Sequence, residues 1–154
     1  MATVLASDET KSIRGIVFTR KNPTLNLDFF ICFSSIAAAL GSAGQGNYAA
    51  ANAFLDGLMH YRQSQGLPGL SINWGLWEIG MAAHLNSAER SRLSSQGLRT
   101  IEPNQGLTIL SQFLNQNTPQ VSIFPVNWVK FLEQLPGDKN NSLFKPIQNT
   151  INYS

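Results

Sequence analysis

Three short apolar runs punctuate the chain. Phe29-Phe30-Ile31-Cys32-Phe33 is continuous rather than alternating, the pattern of a strand covered on both faces. Leu70-Ser71-Ile72-Asn73-Trp74 and Val121-Ser122-Ile123-Phe124 are the other two. Between the first two, Ala51, Phe54, Leu55, Leu58 and Met59 recur at i, i+3, i+4, i+7 and i+8, which predicts a helix. That helix should stop at Gly66, with Pro68 just beyond. A second apolar stripe, Leu107, Leu110, Phe113 and Leu114, predicts another helix, with Pro103 suited to its first turn. Residues 80–100 read as a flap with a short helix around Ala88 to Gln96. Strands alternating with helices predict an α/β layer built on a parallel sheet. Three strands alone would leave an unpaired sheet edge, so the pattern reads as a piece of something larger.

Composition narrows the class. At 154 residues the chain fits one ordinary domain, and 43% hydrophobic against 13% charged residues is enough to build a core rather than a disordered chain. The net charge of +2 is scattered, with no basic run to track a phosphate backbone, which argues against a nucleic-acid partner. The one cysteine, Cys32, has no partner for an internal disulfide, which suits a reducing cytoplasm; inside its apolar run it reads as a small buried hydrophobe. No apolar stretch approaches the ~20 residues that cross a bilayer, and the first ten residues lack a signal peptide's basic segment. No His/Cys/carboxylate cluster suggests a metal, and His60 and His84 read as solvated. The tail from Gly137 onward, rich in Asn, Lys and Ser, reads as a linker or frayed end, which divides the chain into 1–136 and 137–154.

The candidate chemistry lies in Phe33-Ser34-Ser35-Ile36 and in Gly46-Asn47-Tyr48-Ala49-Ala50-Ala51-Asn52. Serines end the first buried strand, where α/β sheets present ligands. A glycine-rich loop follows, and then a helix opens with Tyr48 and Asn52 four residues apart, on one face. A strand-end serine, a tyrosine and an amide can thus converge on one substrate atom. The loop reads G-x-x-G-x-G from Gly41 to Gly46, not G-x-G-x-x-G, and no Walker lysine follows; tight turns explain its glycines better than a phosphate cradle.

These residues, together with Gly41, Gly44-Gln45-Gly46, Ala53-Phe54-Leu55-Asp56, Ile72-Asn73-Trp74-Gly75, Trp77 and Gly80-Met81, resemble the ketoreductases of modular type I polyketide synthases, within the short-chain dehydrogenase/reductase group. The likeness runs from about Lys11 to Leu132. It implies the C-terminal, catalytic half of a Rossmann-like doubly wound parallel sheet, without the N-terminal strands that bind the dinucleotide phosphates. The implied reaction is NADPH-dependent reduction of a β-ketoacyl thioester, carried on an acyl carrier protein, to the β-hydroxyacyl thioester. The implied partners are the remaining synthase domains or an N-terminal ketoreductase half. The competing reading is a catalytically inactive remnant that serves as a structural or interaction fragment.

On that resemblance Tyr48 is the general acid, Ser35 a hydrogen-bond donor to the same ketone oxygen, and Asn52 a support for the relay and helix geometry. A nearby ammonium makes a phenol a readier acid by favouring the phenolate. Ordinary short-chain dehydrogenases carry that lysine four residues after the tyrosine, where Asn52 stands here. The synthase reductases draw it from the preceding helix, and Lys11, 24 residues before Ser35, fits that spacing. The glycine register, with Gly15 four residues after Lys11, favours Ser12 as the position instead. Tyr48, Lys11, Trp74 and Gly75 are the implied cofactor contacts, and Leu40, Gln45 and Met81 the implied substrate contacts; by side chain alone Trp74 and Trp77 read as core and cleft-wall aromatics. Leu40 replaces a tryptophan associated with one alcohol configuration, which points to the opposite stereochemical class. With no glycine-rich dinucleotide turn in the sequence, the chain alone is expected to bind NADPH weakly and to self-associate through its open sheet edge.

Overall fold

The computed structural model describes residues 2–6, 27–80, 85–134 and 144–152. Four strands, β1 (Ala2–Ala6), β2 (Phe29–Ser35), β3 (Leu70–Trp74) and β4 (Gln120–Ile123), pair in that order, all parallel. The helices are α1 (Ala37–Leu40), α2 (Gly46–Ser64), α3 (Ser87–Ser95), α4 (Pro103–Phe113), α5 (Trp128–Glu133) and α6 (Lys145–Asn152). The expected α/β parallel sheet is present, and the three strands read from sequence are in it. A fourth strand that the apolar pattern did not give, β1, pairs with β2 from Ala2↔Phe29 to Ala6↔Phe33, so among the described strands the sheet ends at β1 rather than at β2. No periodicity over five residues distinguishes such a strand from any short apolar run, so only the pairing reveals it.

The chain divides into two units. The first holds residues 1–75 and 102–123, the second 76–101 and 124–154. The sheet belongs to the first. There, Phe30 and Cys32 from β2 meet Leu55, Leu58 and Met59 from α2, with Leu27, in one apolar cluster. These are successive i, i+2 positions of a strand set against i, i+3, i+4 positions of a helix, so each element buries the face its own period offers. Arg62 near the end of α2 lies over the Phe30 ring, 4.0 Å to its centroid, and its Nε donates to the Pro68 carbonyl at 2.8 Å. The helix stops where expected: Gly66 takes φ +70°, the left-handed region that glycine enters without steric cost.

Helix α4 forms as read but turns differently. Leu107 is 60% exposed, whereas Gly106 is buried and Leu110 and Phe113 are half-buried. The inward stripe is therefore Gly106–Leu110–Phe113, one residue out of phase with the apolar pattern at Leu107. Its N-terminus is held by Glu102, whose carboxylate accepts the Asn104 and Gln105 N–H groups at 3.0 and 2.9 Å.

In the second unit, α3 starts with a reciprocal cap. The Asn86 side chain accepts the Glu89 N–H at 2.9 Å, and the Glu89 carboxylate accepts the Asn86 N–H at 2.8 Å. Phe124, Trp128, Phe131 and Phe144 form an aromatic cluster with ring centroids 5.6–6.4 Å apart. Phe144 and α6 depart from the frayed tail expected after Gly137: Phe144 is buried and a helix follows it. Residues 137–143 of that tail lie outside the described residues. Among the described residues no helix is long and apolar enough to cross a membrane.

Candidate active site

The C-terminal end of β2 and the first turns of α2 hold the candidate residues. Ser34 and Ser35 are adjacent on a strand, so their side chains point to opposite faces. Ser34 is buried; its Oγ donates to the Asn52 carbonyl oxygen at 3.2 Å and accepts from Asn73 Nδ2 at 3.0 Å. Ser35 is half-buried, and its Oγ accepts the Ala37 N–H at 3.2 Å. That acceptor role leaves the Ser35 hydroxyl proton available to another oxygen.

Between the two elements the loop turns at Gly41 and Gly44, both with φ near +77°. This is the tight-turn role expected of them. Gln45 precedes α2 and accepts from Ser42 Oγ at 2.7 Å through its Oε1. Leu40, at the end of α1, is half-buried.

Tyr48 is half-buried in the first turn of α2, and Asn52 one turn on is fully buried. Asn52 Nδ2 donates to the Tyr48 carbonyl oxygen at 2.8 Å. Its Oδ1 has no donor among the described residues. A buried unmet acceptor costs about 1–3 kcal/mol, so this oxygen is set for an N–H or O–H that the described side chains do not provide. Lys11, Ser12 and Met81 lie outside the described residues.

Trp74 is 5% exposed and packs edge-on against Phe33, centroids 5.6 Å apart. The side chain is a core aromatic, as read from the sequence by side chain alone. The Trp74 carbonyl accepts the Ile36 N–H at 2.9 Å, and the Gly75 N–H donates to the Ile123 carbonyl at 2.8 Å. Both backbone groups are therefore spent on the sheet end. Cys32 is fully buried, as expected, and desolvation pushes its thiol up to about 12. His60 is exposed but not without a neighbour: its Nε2 lies 3.2 Å from Gln120 Oε1. Among the described residues no group of three His, Cys, Asp or Glu side chains is placed to hold a metal ion.

Sequence reasoning missed a polar network under this floor. Asp56 is 6% exposed and accepts from Ser71 Oγ at 2.5 Å and Asn73 Nδ2 at 2.7 Å. Gln120 Nε2 donates to Asp56 Oδ2 at 3.1 Å and to Asn73 Oδ1 at 2.9 Å. Two signals in the sequence could have found it. Asp56 continues the i+4 series of Tyr48 and Asn52, and Ser71 and Asn73 occupy alternate positions of an otherwise apolar strand.

Residues 9–79 match the KR domain family. A phenolphthiocerol synthesis polyketide synthase type I, Pks15/1, of Mycobacterium marinum is 53% identical over 97 residues, 62% of this chain and 5% of that protein. Polyketide synthase GfsB of Streptomyces halstedii is 47% identical over 103 residues, 66% of this chain and 2% of that protein. Among solved structures, an A-type ketoreductase from a modular polyketide synthase superposes with a TM-score of 0.73 at 34% identity, over 87% of this chain and 29% of that one. A ketoreductase domain from the bacillaene assembly line gives 0.75 at 26% identity, over 87% and 38%. Residues 9–79 thus belong to the KR domain family; the curated relatives are type I polyketide synthases, and the parallel α/β fold is that of the solved ketoreductases. The chain spans only a few per cent of the curated relatives it matches and about a third of the solved ketoreductase chains.

The residues present fit one end of a nicotinamide cofactor. Two half-buried residues with hydroxyls and a buried amide oxygen with no donor among the described residues, at one sheet end, suit the reacting end of such a cofactor. The sequence holds no G-x-G-x-x-G turn to fit the phosphates.

Proposed function

We propose that this chain carries the carbonyl-activating residues of an NADPH-dependent ketoreductase, of the short-chain dehydrogenase/reductase type, that reduces a β-ketoacyl thioester on an acyl carrier protein. The observation that carries this reading is the join between β2 and α2. The Ser34–Asn52 hydrogen bond of 3.2 Å ties the strand end to the helix start, so Ser35 and Tyr48 flank the same sheet end, each half-buried.

Bound NADPH would supply the hydride to the ketone carbon. As charge gathers on the ketone oxygen, the Ser35 hydroxyl donates to it and holds the carbonyl plane. The Tyr48 hydroxyl hands the same oxygen its proton, leaving the secondary alcohol. Such acid catalysis contributes about 10²- to 10⁴-fold, and an oriented donor to the oxygen a further ~10²-fold or more. Asn52, fixed by its bond to the Tyr48 carbonyl, offers Oδ1 to a further proton donor. Lys11 is the proposed donor, and Tyr48 and Lys11 would hold the nicotinamide ribose. Leu40, Gln45 and Met81 are proposed to line the acyl path, and the other synthase domains to be its partners, in the cytoplasm.

A second reading has one observation in its favour. A relative 50% identical over 97 residues, from Mycobacterium tuberculosis, bears the name "Putative inactive phenolphthiocerol synthesis polyketide synthase type I Pks1". On that reading this chain is an inactive remnant that serves as an interaction fragment. The two are separated by following NADPH oxidation with a β-ketoacyl thioester, using this chain within a complete ketoreductase domain. Turnover that Tyr48→Phe cuts by more than about tenfold, with circular dichroism unchanged, supports the catalytic reading. Turnover by neither protein supports the remnant.

A further inference from the structure

We infer that Asp56 is a positioning residue that sets Ser35 against Tyr48, acting through Asn73. The inference rests on the ketoreductase reading of those two hydroxyls, and adds to it a part of the molecule that touches neither substrate nor cofactor.

The argument starts from hydrogen-bond capacity. An amide nitrogen has two protons, and Asn73 Nδ2 has three acceptors within reach. These are Asp56 Oδ2 at 2.7 Å, Ser34 Oγ at 3.0 Å and the Ser35 carbonyl oxygen at 3.2 Å. The shortest contact takes one proton for Asp56. The second is shared between Ser34 Oγ and the Ser35 carbonyl, the last two residues of β2. Asp56 thus fixes the amide plane, and the amide plane fixes where the strand ends.

The second link runs through Ser34. With its oxygen engaged by Asn73, the Ser34 proton goes to the Asn52 carbonyl at 3.2 Å. Asn52 in turn holds the Tyr48 carbonyl through Nδ2. One carboxylate on α2 therefore closes a loop of hydrogen bonds: α2 to β3, β3 to β2, and β2 back to α2 one turn earlier. Both candidate catalytic hydroxyls are attached to that loop by a single residue of backbone. The four side chains that make it, those of Asp56, Asn73, Ser34 and Asn52, are all buried, where neither water nor a rotamer change offers a cheap substitute.

An acceptor at residue 56 is what the loop requires, and this separates positioning from mere charge. In Asp56→Asn the new Oδ1 can still accept from Asn73 while its amide turns to the Ser71 hydroxyl. In Asp56→Ala two buried donors, from Ser71 and Asn73, and a half-buried one, from Gln120, lose their acceptor, and the Asn73 plane is released. A displacement of ~1 Å between catalytic groups costs about 100-fold, so Asp56→Ala should lower kcat about 100-fold with KM within about threefold. Asp56→Asn should keep kcat within about fivefold of the parent under the same reasoning.

The experiment has two arms. In the first, ¹⁵N–¹H spectra of the 154-residue chain should show the Ser34, Ser35 and Tyr48 amides moved by Asp56→Ala and near their parent positions in Asp56→Asn. In the second, kcat and KM of the same variants are measured within a complete ketoreductase domain. Absence of turnover in the parent would refute the ketoreductase reading and leave the spectra to judge the loop. Unmoved amides, or kcat unchanged in Asp56→Ala, would overturn the inference; so would equal losses in both variants. If Asp56→Ala does not fold, Gln120→Met takes its place. It removes one donor each to Asp56 and Asn73 from the half-buried start of β4, and must move the same three amides for the inference to stand.

Discussion

Ser34 and Ser35 are neighbours in sequence, yet truncating each to alanine should damage different things. Ser35→Ala removes the hydroxyl of a half-buried residue whose partner among the described residues is the Ala37 N–H, accepted at 3.2 Å. A bond of that kind is worth about 1 kcal/mol net, and at this half-open position water can replace it. Stability should fall by no more than that. The proposed role is larger: loss of an oriented donor to a developing oxyanion costs roughly 2–4 kcal/mol of barrier, or about 30- to 1,000-fold in kcat. Ser34→Ala reverses the balance. It strips a buried oxygen that accepts from Asn73 and a proton held by the Asn52 carbonyl. Two buried groups lose a partner at about 1–3 kcal/mol each, partly recovered because Asn73 keeps Asp56 and the Ser35 carbonyl. A net loss of ~2–3 kcal/mol lowers Tm by about 5–10 °C at this chain length. The assay is therefore paired: kcat for thioester ketoreduction in the complete domain, and thermal melting of the same variants. A Ser35→Ala protein that melts several degrees low but turns over normally would refute the assignment. So would a Ser34→Ala protein with parental Tm, because the buried hydrogen bonds would then carry no weight.

Three further predictions follow from other parts of the molecule. Lys11→Met should lower kcat far more than Ser12→Ala; equal and small effects would show that neither residue supplies a proton donor to Asn52 Oδ1. Cys32 is buried with its thiol raised to about 12 from an ordinary value near 9, so above pH 9 the unfolded chain loses a proton that the folded chain keeps. Stability should then fall by ~1.4 kcal/mol per pH unit from about pH 9 toward 12, and be indifferent to this group below that window. Cys32→Ala should flatten that slope in denaturant titrations; an unchanged slope would refute it. Gly97→Ala should cost about 3 kcal/mol or more, because φ is +74° and the added Cβ would lie 2.6 Å from the Asn127 oxygen. Gly41→Ala, at φ +78° with open space around it, should cost only ~1–2 kcal/mol. Equal melting temperatures for the two would contradict the packing argument.

Much of this protein is legible in its sequence, for a simple reason. Apolar runs of strand length, alternating with a 3.6-residue period, admit few arrangements other than a parallel α/β sheet, and β2, β3, β4, α2 and α4 all form where the pattern puts them. The Ser35 and Tyr48 positions were readable because each is tied to an element end, and element ends carry local signals. Local signals did not extend to contacts between distant segments. The pairing of Ala2–Ala6 with β2 depends on hydrogen bonds to residues 27 positions away, so no window along the chain contains it. Leu107 obeys the helical period and still faces outward, because the packing surface decides which of two adjacent stripes turns in, and Gly106 takes the inner place. Trp74 reads as a core aromatic from its apolar run, but only the folded chain shows that Phe33 is the ring it packs against. Asp56 is the clearest case: nothing in its own helix names Ser71, Asn73 and Gln120, from two strands, as the groups brought to its carboxylate. What local chemistry can specify was written in the order of residues. Which buried polar groups meet, and so which hydroxyls are held in place, was decided only when the sheet and helix closed on each other.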